Sequence, residues 1–233
     1  GAQSNPHNRF FASEHGKYHD EGIDEWEAEA QRTIHTTIYP KTLVNKVDSP
    51  DLGMAYSANP YQGCEHGCIY CYARNSHQYW GYSAGIDFES KILIKENAPT
   101  LFREFINRKS WDASTISISG NTDCYQPLER KYRLTRQLLE IALEQGQPVG
   151  MITKNSLILR DLDILQEMAK KNLCMVYLSI NSLTEATRLK LEPRTATAKE
   201  RLRTIETLSK AGIPTGAMCA PIIPGLTDHE IPA

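Results

Sequence analysis

Residues 63–72 read Gly-Cys-Glu-His-Gly-Cys-Ile-Tyr-Cys-Tyr and place three of the six cysteines of this 233-residue sequence within eight positions. Cys64, Cys68 and Cys71 form a Cys-x3-Cys-x2-Cys array, in which Gly63 and Gly67 allow the backbone to turn tightly. Three thiolates on one short loop can ligate three irons of a [4Fe–4S] cluster and leave the fourth iron open to an exogenous ligand. The array therefore indicates an iron–sulfur site.

A structural zinc site is the competing interpretation of this array. His66 or a distant cysteine could supply the fourth ligand of a tetrahedral zinc ion. Zinc ribbons usually carry a second Cys-x2-Cys pair, however, and the sequence contains none. A non-catalytic iron–sulfur or zinc-stapled protein, acting in electron transfer or as an interaction module, stays open beside an enzyme.

The overall composition is that of a folded globular chain, with 40% hydrophobic and 23% charged residues. A formal net charge of −2 excludes a strongly cationic nucleic-acid binder, although residues 88–210 are mildly basic and compatible with a phosphate-bearing partner. No apolar run approaches the roughly 20 residues of a membrane span, and no secretory signal precedes residue 33. We therefore expect a cytoplasmic protein with no membrane association.

From about residue 54 onward, strand and helix patterns alternate along the chain. Candidate strands lie at 54–58, 91–95, 115–119, 149–153, 175–180 and 215–220. Candidate helices lie at 72–80, 100–108, 134–145, 160–171 and 198–211, the last opened by a capping box of Thr197 and Glu200. This alternation predicts an α/β fold with a parallel sheet, open or curled into a barrel, whose chemistry lies at the carboxyl ends of the strands.

Two of the candidate strands carry a polar face. Ser117, Ser119 and Asn121 alternate with isoleucines in one, and Ser179 and Asn181 alternate with aliphatic residues in the other. A buried parallel strand is ordinarily apolar on both faces. The pattern favours a cavity that holds a polar ligand, and an exposed edge strand is the alternative.

The cysteine array with Tyr70 before its third cysteine resembles the radical S-adenosylmethionine (SAM) superfamily. The wider block from Asn59 to Arg74 resembles the branch of spore photoproduct lyase, often labelled DNA repair photolyase, and further matches lie at 122–127, 153–154, 191–194 and 221–228. The resemblance implies a partial (β/α)6 barrel, a curled parallel sheet with outer helices. The alternation supplies five barrel strands. We therefore expect residues 54–233 to form a barrel that is truncated after its fifth strand and lacks its C-terminal part. Residues 1–53, with one short helix near 24–33, are expected to form an N-terminal extension over this core.

The resemblance also implies a reaction and its cofactors. Members of the superfamily use a [4Fe–4S] cluster to cleave SAM reductively to methionine and a 5′-deoxyadenosyl radical, which abstracts hydrogen from the substrate. Their electrons come from a flavodoxin or ferredoxin. Nucleic-acid lesion repair is the precedent in this branch, while a modified RNA, a peptide or a small molecule stays open as the substrate.

Roles for individual residues follow from the resemblance by position. The three cysteines would bind the cluster. For the methionine part of SAM, the resemblance implies Asn121, Thr122 and Asp123 at the amino group and Lys154 and Arg194 at the carboxylate. For the nucleoside part, it implies Ser179 and Asn181 at the ribose and Tyr70, Ile223 and Gly225 at the adenine. Each of these positions also has an ordinary interpretation as a turn residue, an exposed loop residue or a solvated charge.

The three remaining cysteines are predicted to differ from one another. Cys124 follows Asp123 at a strand end that should face the cavity, and it is a candidate to return hydrogen to the substrate radical. In spore photoproduct lyase a cysteine near this strand end does so, but the aligned position here is Gly120. Cys174 and Cys219 are expected to be buried, chemically inert thiols.

Overall fold

The computed structural model describes residues 1–11, 33–48 and 55–231. Nine strands lie in these ranges: β1 Ile34–Ile38, β2 Val44–Lys46, β3 Tyr56–Ala58, β4 Tyr61–Gln62, β5 Lys91–Lys95, β6 Ile116–Ile118, β7 Val149–Thr153, β8 Cys174–Ser179 and β9 Thr215–Met218. The seven α-helices are α1 Ile86–Ser90, α2 Ala98–Ile106, α3 Glu129–Tyr132, α4 Leu134–Gln145, α5 Leu162–Lys170, α6 Glu185–Leu191 and α7 Ala198–Lys210. Three 3-10 helices lie at Tyr72–Trp80, Ser156–Asp161 and Asp228–Glu230.

The main sheet has the strand order β2-β3-β6-β7-β8-β9. All neighbouring strands in it run parallel except β2, which pairs antiparallel with β3. The five strands β3, β6, β7, β8 and β9 are therefore the predicted parallel strands, in chain order and joined by helical crossovers. Because these five strands all run in the same direction, their carboxyl ends meet at one edge of the sheet.

The two faces of the main sheet differ as the alternation predicts. Ile116, Ile118, Val176 and Leu178 are fully buried in the largest hydrophobic cluster, together with apolar residues of α2, α4, α5 and α7. On the opposite face the strand register sets Ser57 beside Ser117, and Ser117 beside Gly150. Small and polar side chains thus line the side of the sheet that faces away from the helices at β3, β6 and the start of β7.

The N-terminal part of the chain and the strand at 91–95 add a second sheet that the alternation does not predict. β5 pairs parallel with β1 and antiparallel with β4, in a three-stranded sheet of order β1-β5-β4. The strand at 91–95 is confirmed as a strand, but it lies outside the parallel series. Because β4 ends at Gln62, this second sheet leads directly into the cysteine array.

Most of the remaining predicted elements agree with the structure in kind, and several differ in their ends. The helix at 134–145 is confirmed as α4, and the capping box of α7 is present, with the Thr197 hydroxyl accepting from the Glu200 amide at 3.2 Å. Residues 72–80 form a 3-10 helix instead of an α-helix. The possible helix at 24–33 and the first residue of the strand at 54–58 lie outside the described residues.

Candidate active site

The cysteine loop, residues 63–72, follows β4 at the carboxyl edge of the main sheet. Gly63 and Gly67 have φ angles of +82° and +68°, which favour glycine, and a side chain at Gly67 would collide with the guanidinium of Arg194. The loop backbone is tied to its surroundings at Cys64, whose amide donates to Phe88 O at 2.9 Å, and at Ile69, whose amide donates to Leu191 O at 3.0 Å. The loop is therefore an anchored part of the fold.

The three thiols of this loop are free, and burial disfavours their charged form more strongly than nearby groups such as Lys154 favour it. Cys64 and Cys68 are buried and Cys71 is half-buried. Burial raises the pKa of all three thiols, that of Cys68 to about 12, and the neighbouring thiols raise the pKa of Cys64 and Cys68 further. These three neighbouring thiols lose their protons only at a high cost in free energy unless a cation is bound. The positively charged core of an iron–sulfur cluster would stabilise the thiolates, so the loop fits such a cluster.

His66, the alternative zinc ligand, is already engaged by the protein through both ring nitrogens. Its Nδ1 lies 3.3 Å from Asp123 Oδ2, and its Nε2 lies 3.5 Å from the amide nitrogen of Asn155. Within residues 1–11, 33–48 and 55–231, no three His, Cys, Asp or Glu side chains converge as ligands of one metal ion. A cubane makes a different demand, because each thiolate binds its own iron.

The residues predicted at the SAM amino group lie after β6, where each makes internal hydrogen bonds. Asn121 donates to Gln62 and Ser76, and the Thr122 hydroxyl donates to Tyr61 O at 3.0 Å. The Asp123 carboxylate accepts from the Thr153 hydroxyl and the Lys154 amide, both at 2.8 Å. Although burial opposes it, the charge of His66 and these hydrogen bonds lower the pKa of Asp123 to about 2.

The two predicted partners of the SAM carboxylate are in different situations. Lys154 lies after β7, with its Nζ 5.9 Å from the centre of the Tyr70 ring and no hydrogen bond or ion pair from that Nζ within the described part of the chain. Burial alone would lower the pKa of Lys154, but the charges of Cys68 and Glu192 outweigh burial and raise it. Arg194 is half-exposed and pairs with Glu89 and with the carbonyl of Glu65. Both side chains therefore lie at the cysteine loop. The ammonium of Lys154 is free to pair with a ligand carboxylate, whereas the guanidinium of Arg194 is already bound to Glu89 and to the loop carbonyl of Glu65.

The predicted ribose residues lie at the end of β8, and both are buried. Ser179 is fixed through its backbone carbonyl, which accepts from Arg201 Nη1 at 2.7 Å. Asn181 is only 6% exposed, and neither the nitrogen nor the oxygen of its amide has a hydrogen-bond partner among the described residues. A buried amide without partners costs free energy and is expected where a ligand completes its hydrogen bonds.

Asn181 also lines a cavity of about 180 Å³ next to β9, together with apolar side chains that include Leu202 and Ile222. Of the residues predicted at the adenine, Ile223 is half-buried and follows Ile222, which lines this cavity, and Gly225 is exposed in a turn with φ of +74°. Tyr70, the third of them, donates its hydroxyl hydrogen to Glu192.

Two of the three cysteines outside the loop are placed differently from the predictions. Cys124 is fully buried in the main core, with the Ser119 hydroxyl 3.0 Å from its sulfur, instead of at the cavity mouth. Cys174 is buried as predicted. Cys219 is exposed, which contradicts the prediction, because it follows the end of β9 at the edge of the sheet.

Several residues that complete this site are absent from the sequence predictions. Glu192 is fully buried and pairs with Arg201 at 2.5 Å, and Glu89 accepts from both Arg74 and Arg194. The sequence signal for Glu192 is its place in the matched segment 191–194, beside Arg194. Glu89 lies in α1, for which the sequence gives no helical pattern.

No helix among the described residues is long and apolar enough to cross a membrane.

The radical SAM superfamily sequence model matches residues 58–233 of the chain. An uncharacterised protein of Mycobacterium tuberculosis is 33% identical over 197 residues, covering 84% of this chain and 58% of the relative. An uncharacterised protein of Methanocaldococcus jannaschii is 31% identical over 194 residues, covering 83% of this chain and 69% of the relative.

Two comparisons reach proteins that have functional names. A protein of Pseudomonas phage M6 named radical SAM Nalpha-GlyT isomerase is 25% identical over 182 residues, covering 78% of this chain and 36% of that protein. The structure of spore photoproduct lyase complexed with dinucleoside spore photoproduct matches with a TM-score of 0.58 at 21% identity, covering 82% of this chain and 52% of that one. This likeness shows the fold, and this chain spans about half the length of the lyase.

The predicted partial barrel, with its parallel strands and outer helices, is thereby confirmed. The family match covers the cysteine loop and all five parallel strand ends around it, and the relatives above 30% identity span more than four fifths of the chain. The chain belongs to the radical SAM superfamily of enzymes.

Proposed function

We propose that this chain binds a [4Fe–4S] cluster through Cys64, Cys68 and Cys71 and cleaves SAM reductively at that cluster. The observation that carries the proposal is the set of three free, neighbouring thiols on one anchored loop at the carboxyl edge of the sheet. When bound, the cluster supplies the electron that breaks the sulfonium bond of SAM. Enzymes of this superfamily need a reductant, which we expect to be a flavodoxin or ferredoxin.

The surroundings of the loop offer groups whose chemistry suits the remaining parts of SAM. Lys154 carries a positive charge without an ion-pair partner among the described residues, which suits the methionine carboxylate. The partnerless amide of Asn181 suits ribose hydroxyls, and the apolar cavity beside it suits a purine ring. Asn121, Thr122 and Asp123 are assigned to the amino group, with Arg194, Ser179, Ile223, Gly225 and Tyr70 around the rest of the molecule.

The decisive experiment is anaerobic reconstitution with iron and sulfide, followed by addition of SAM and dithionite. We expect about four irons per chain, a visible absorption that dithionite bleaches, and release of 5′-deoxyadenosine. Cys68→Ala should lose the absorption, because one iron loses its ligand. Cys174→Ala is the matched control, a buried free cysteine outside the loop, and should behave as the wild type. Retention of the complete cluster by Cys68→Ala would contradict the assignment.

For the substrate, we propose a modified or damaged base in a nucleic acid. Support comes from the fold shared with spore photoproduct lyase, which has been solved with a dinucleoside lesion, and from the mildly basic residues 88–210. The assay is anaerobic turnover of dinucleoside spore photoproduct, with Cys124→Ala to test that thiol as hydrogen donor. Vigorous release of 5′-deoxyadenosine without any change in the lesion would exclude this substrate, and equal repair by both proteins would exclude the thiol.

A further inference from the structure

We propose that two buried carboxylates, Asp123 and Glu192, position the cysteine loop by each holding one side chain from one of the two intervals between its cysteines. His66 lies between Cys64 and Cys68, and Tyr70 lies between Cys68 and Cys71. Neither carboxylate is within the loop, and each reaches it through one side chain. The proposal rests on the proposed function only in that the loop binds the cluster.

The first carboxylate, Asp123, is fixed by the ends of two strands. The side chain of His66 is 1% exposed, and its Nδ1 lies 3.3 Å from Asp123 Oδ2. Three further donors reach the same carboxylate at 2.8 Å: the Thr153 hydroxyl, the Lys154 amide and the Tyr125 amide. These four contacts fix the orientation of the Asp123 carboxylate, which cannot rotate without losing several hydrogen bonds. It therefore fixes the position of His66 relative to β6 and β7.

The second carboxylate, Glu192, connects the loop to β8 and α7. The Tyr70 hydroxyl donates to Glu192 Oε1, and Arg201 Nη2 donates to Oε2 at 2.5 Å. The side chains of Glu192 and Arg201 are 0% and 1% exposed, so water does not reach this ion pair. Because no water could replace a lost hydrogen bond, the geometry of the pair is strongly constrained. Arg201 also donates to the carbonyl of Ser179 at 2.7 Å. One network therefore links the second cysteine interval with the end of β8.

Backbone hydrogen bonds reinforce this attachment from the same segment as Glu192. The Ile69 amide donates to Leu191 O at 3.0 Å, and the Arg194 amide donates to His66 O at 3.3 Å. Segment 191–194 thus contacts both cysteine intervals. Because a loop already held in its binding geometry loses less conformational entropy on taking up a ligand, these contacts should strengthen cluster retention. Asp123 and Glu192 are positioning residues in this account, because they act through His66 and Tyr70.

The test uses substitutions that remove a hydrogen bond and keep the bulk of the side chain. His66→Leu removes the donor to Asp123, His66→Gln retains an amide donor, and Tyr70→Phe removes the hydroxyl that reaches Glu192. The measurement is the anaerobic rate at which the reconstituted protein loses iron to a chelator, followed by its visible absorption. We expect His66→Leu and Tyr70→Phe to lose iron about tenfold faster than wild type, as the loss of about 1.4 kcal/mol from one hydrogen bond predicts. His66→Gln should restore most of the difference.

A second Tyr–Glu–Arg network in the chain provides the matched control. The Tyr61 hydroxyl donates to Glu129, which also accepts from Arg160 at 2.7 Å, and both Tyr61 and Glu129 are fully buried. This network holds α3 and α4, and none of its three side chains hydrogen-bonds a described residue between the loop cysteines. Tyr61→Phe should lower the free energy of unfolding while leaving the rate of iron loss unchanged. Equal acceleration in Tyr61→Phe would overturn the proposal, because general destabilisation would then explain the result.

Amide hydrogen exchange of residues 64–71 separates failure of this proposal from failure of the proposed function. A wild type that takes up no iron would contradict the proposed function, yet exchange in the unreconstituted full chain would still be expected to rise about tenfold in His66→Leu. Unchanged exchange and unchanged iron retention in both His66→Leu and Tyr70→Phe would overturn the role of the carboxylates.

Discussion

At the residue scale, Asn181 shows how a binding group is recognised by what it lacks. Its amide is buried without hydrogen-bond partners among the described residues, an arrangement that costs the free protein about 1–3 kcal/mol. Asn181→Ala should therefore leave the free energy of unfolding unchanged or raise it slightly. The same change should weaken SAM binding to the reconstituted protein about tenfold, since a ligand hydroxyl loses its partner. Denaturant unfolding and calorimetry measure the two effects.

Asn155 is the control for this substitution. It is also a buried asparagine, but its side chain is occupied, accepting from the Leu157 amide at 3.0 Å and lying 3.5 Å from His66. Asn155→Ala should lower the free energy of unfolding, because it removes hydrogen bonds that the free protein makes. A loss of stability in Asn181→Ala comparable to that in Asn155→Ala would show that the Asn181 amide is satisfied in the free protein, and would contradict the interpretation.

The three cysteines proposed to bind the cluster could be selected from the sequence because their spacing alone defines the array. Glu192 and Arg201 could not be paired in the same way, because their attraction depends on how segment 191–194 folds back over α7. Cys124 shows the opposite error: its position after a predicted strand suggested the cavity, but the turn at Ser119 directs its thiol into the core. Local patterns predict which residues are near a strand end, while the turn that follows decides which way each one faces.

At the scale of elements, the start of α7 was predictable because its stabilisation is local. Thr197 and Glu200 form both hydrogen bonds of the capping box, and neither depends on a distant residue. Thr197→Ala should lower the free energy of unfolding by about 1 kcal/mol. Thr207→Ala in the same helix is the control, because the exposed Thr207 hydroxyl only donates to the Arg203 carbonyl and should contribute little. Equal losses in the two variants would show that the cap makes no special contribution.

Strands β1 and β2 were not predictable from the sequence, for a physical reason. Four of the five residues of β1 are exposed, so the strand carries no apolar face to produce alternation. Its position comes from backbone pairing with β5, whose residues are almost all buried. A strand that is held mainly by backbone hydrogen bonds to its neighbour need not show apolar alternation in its own sequence. The same reasoning applies to β2, which is three residues long and pairs at the edge of the main sheet.

At the scale of the whole molecule, the main core and the cysteine loop are separate pieces of the hydrophobic interior. The largest cluster packs the helices onto one face of the main sheet, and among the described residues it contains none of the three loop cysteines. Cys64 belongs instead to a small cluster with Ala73 and Phe88. The free energy that holds the sheet together therefore does not depend on a bound metal centre, because the apolar burial that dominates it lies elsewhere.

This separation predicts that removal of the cluster leaves the fold intact. The metal-free chain should keep its far-UV circular dichroism and a cooperative thermal transition, with a lower midpoint because bound metal stabilises the state that binds it by mass action. The increase in amide exchange should be largest in residues near the loop, and β7 and β8 should stay among the slowest to exchange. Zinc-stapled domains behave in the opposite way, because their folding energy comes from the metal. Loss of cooperative unfolding on chelation would contradict this prediction, because it would mean that the folding of the sheet depends on the metal-bound loop. The core at β6, β7 and β8 would then be less stable than its complete burial implies.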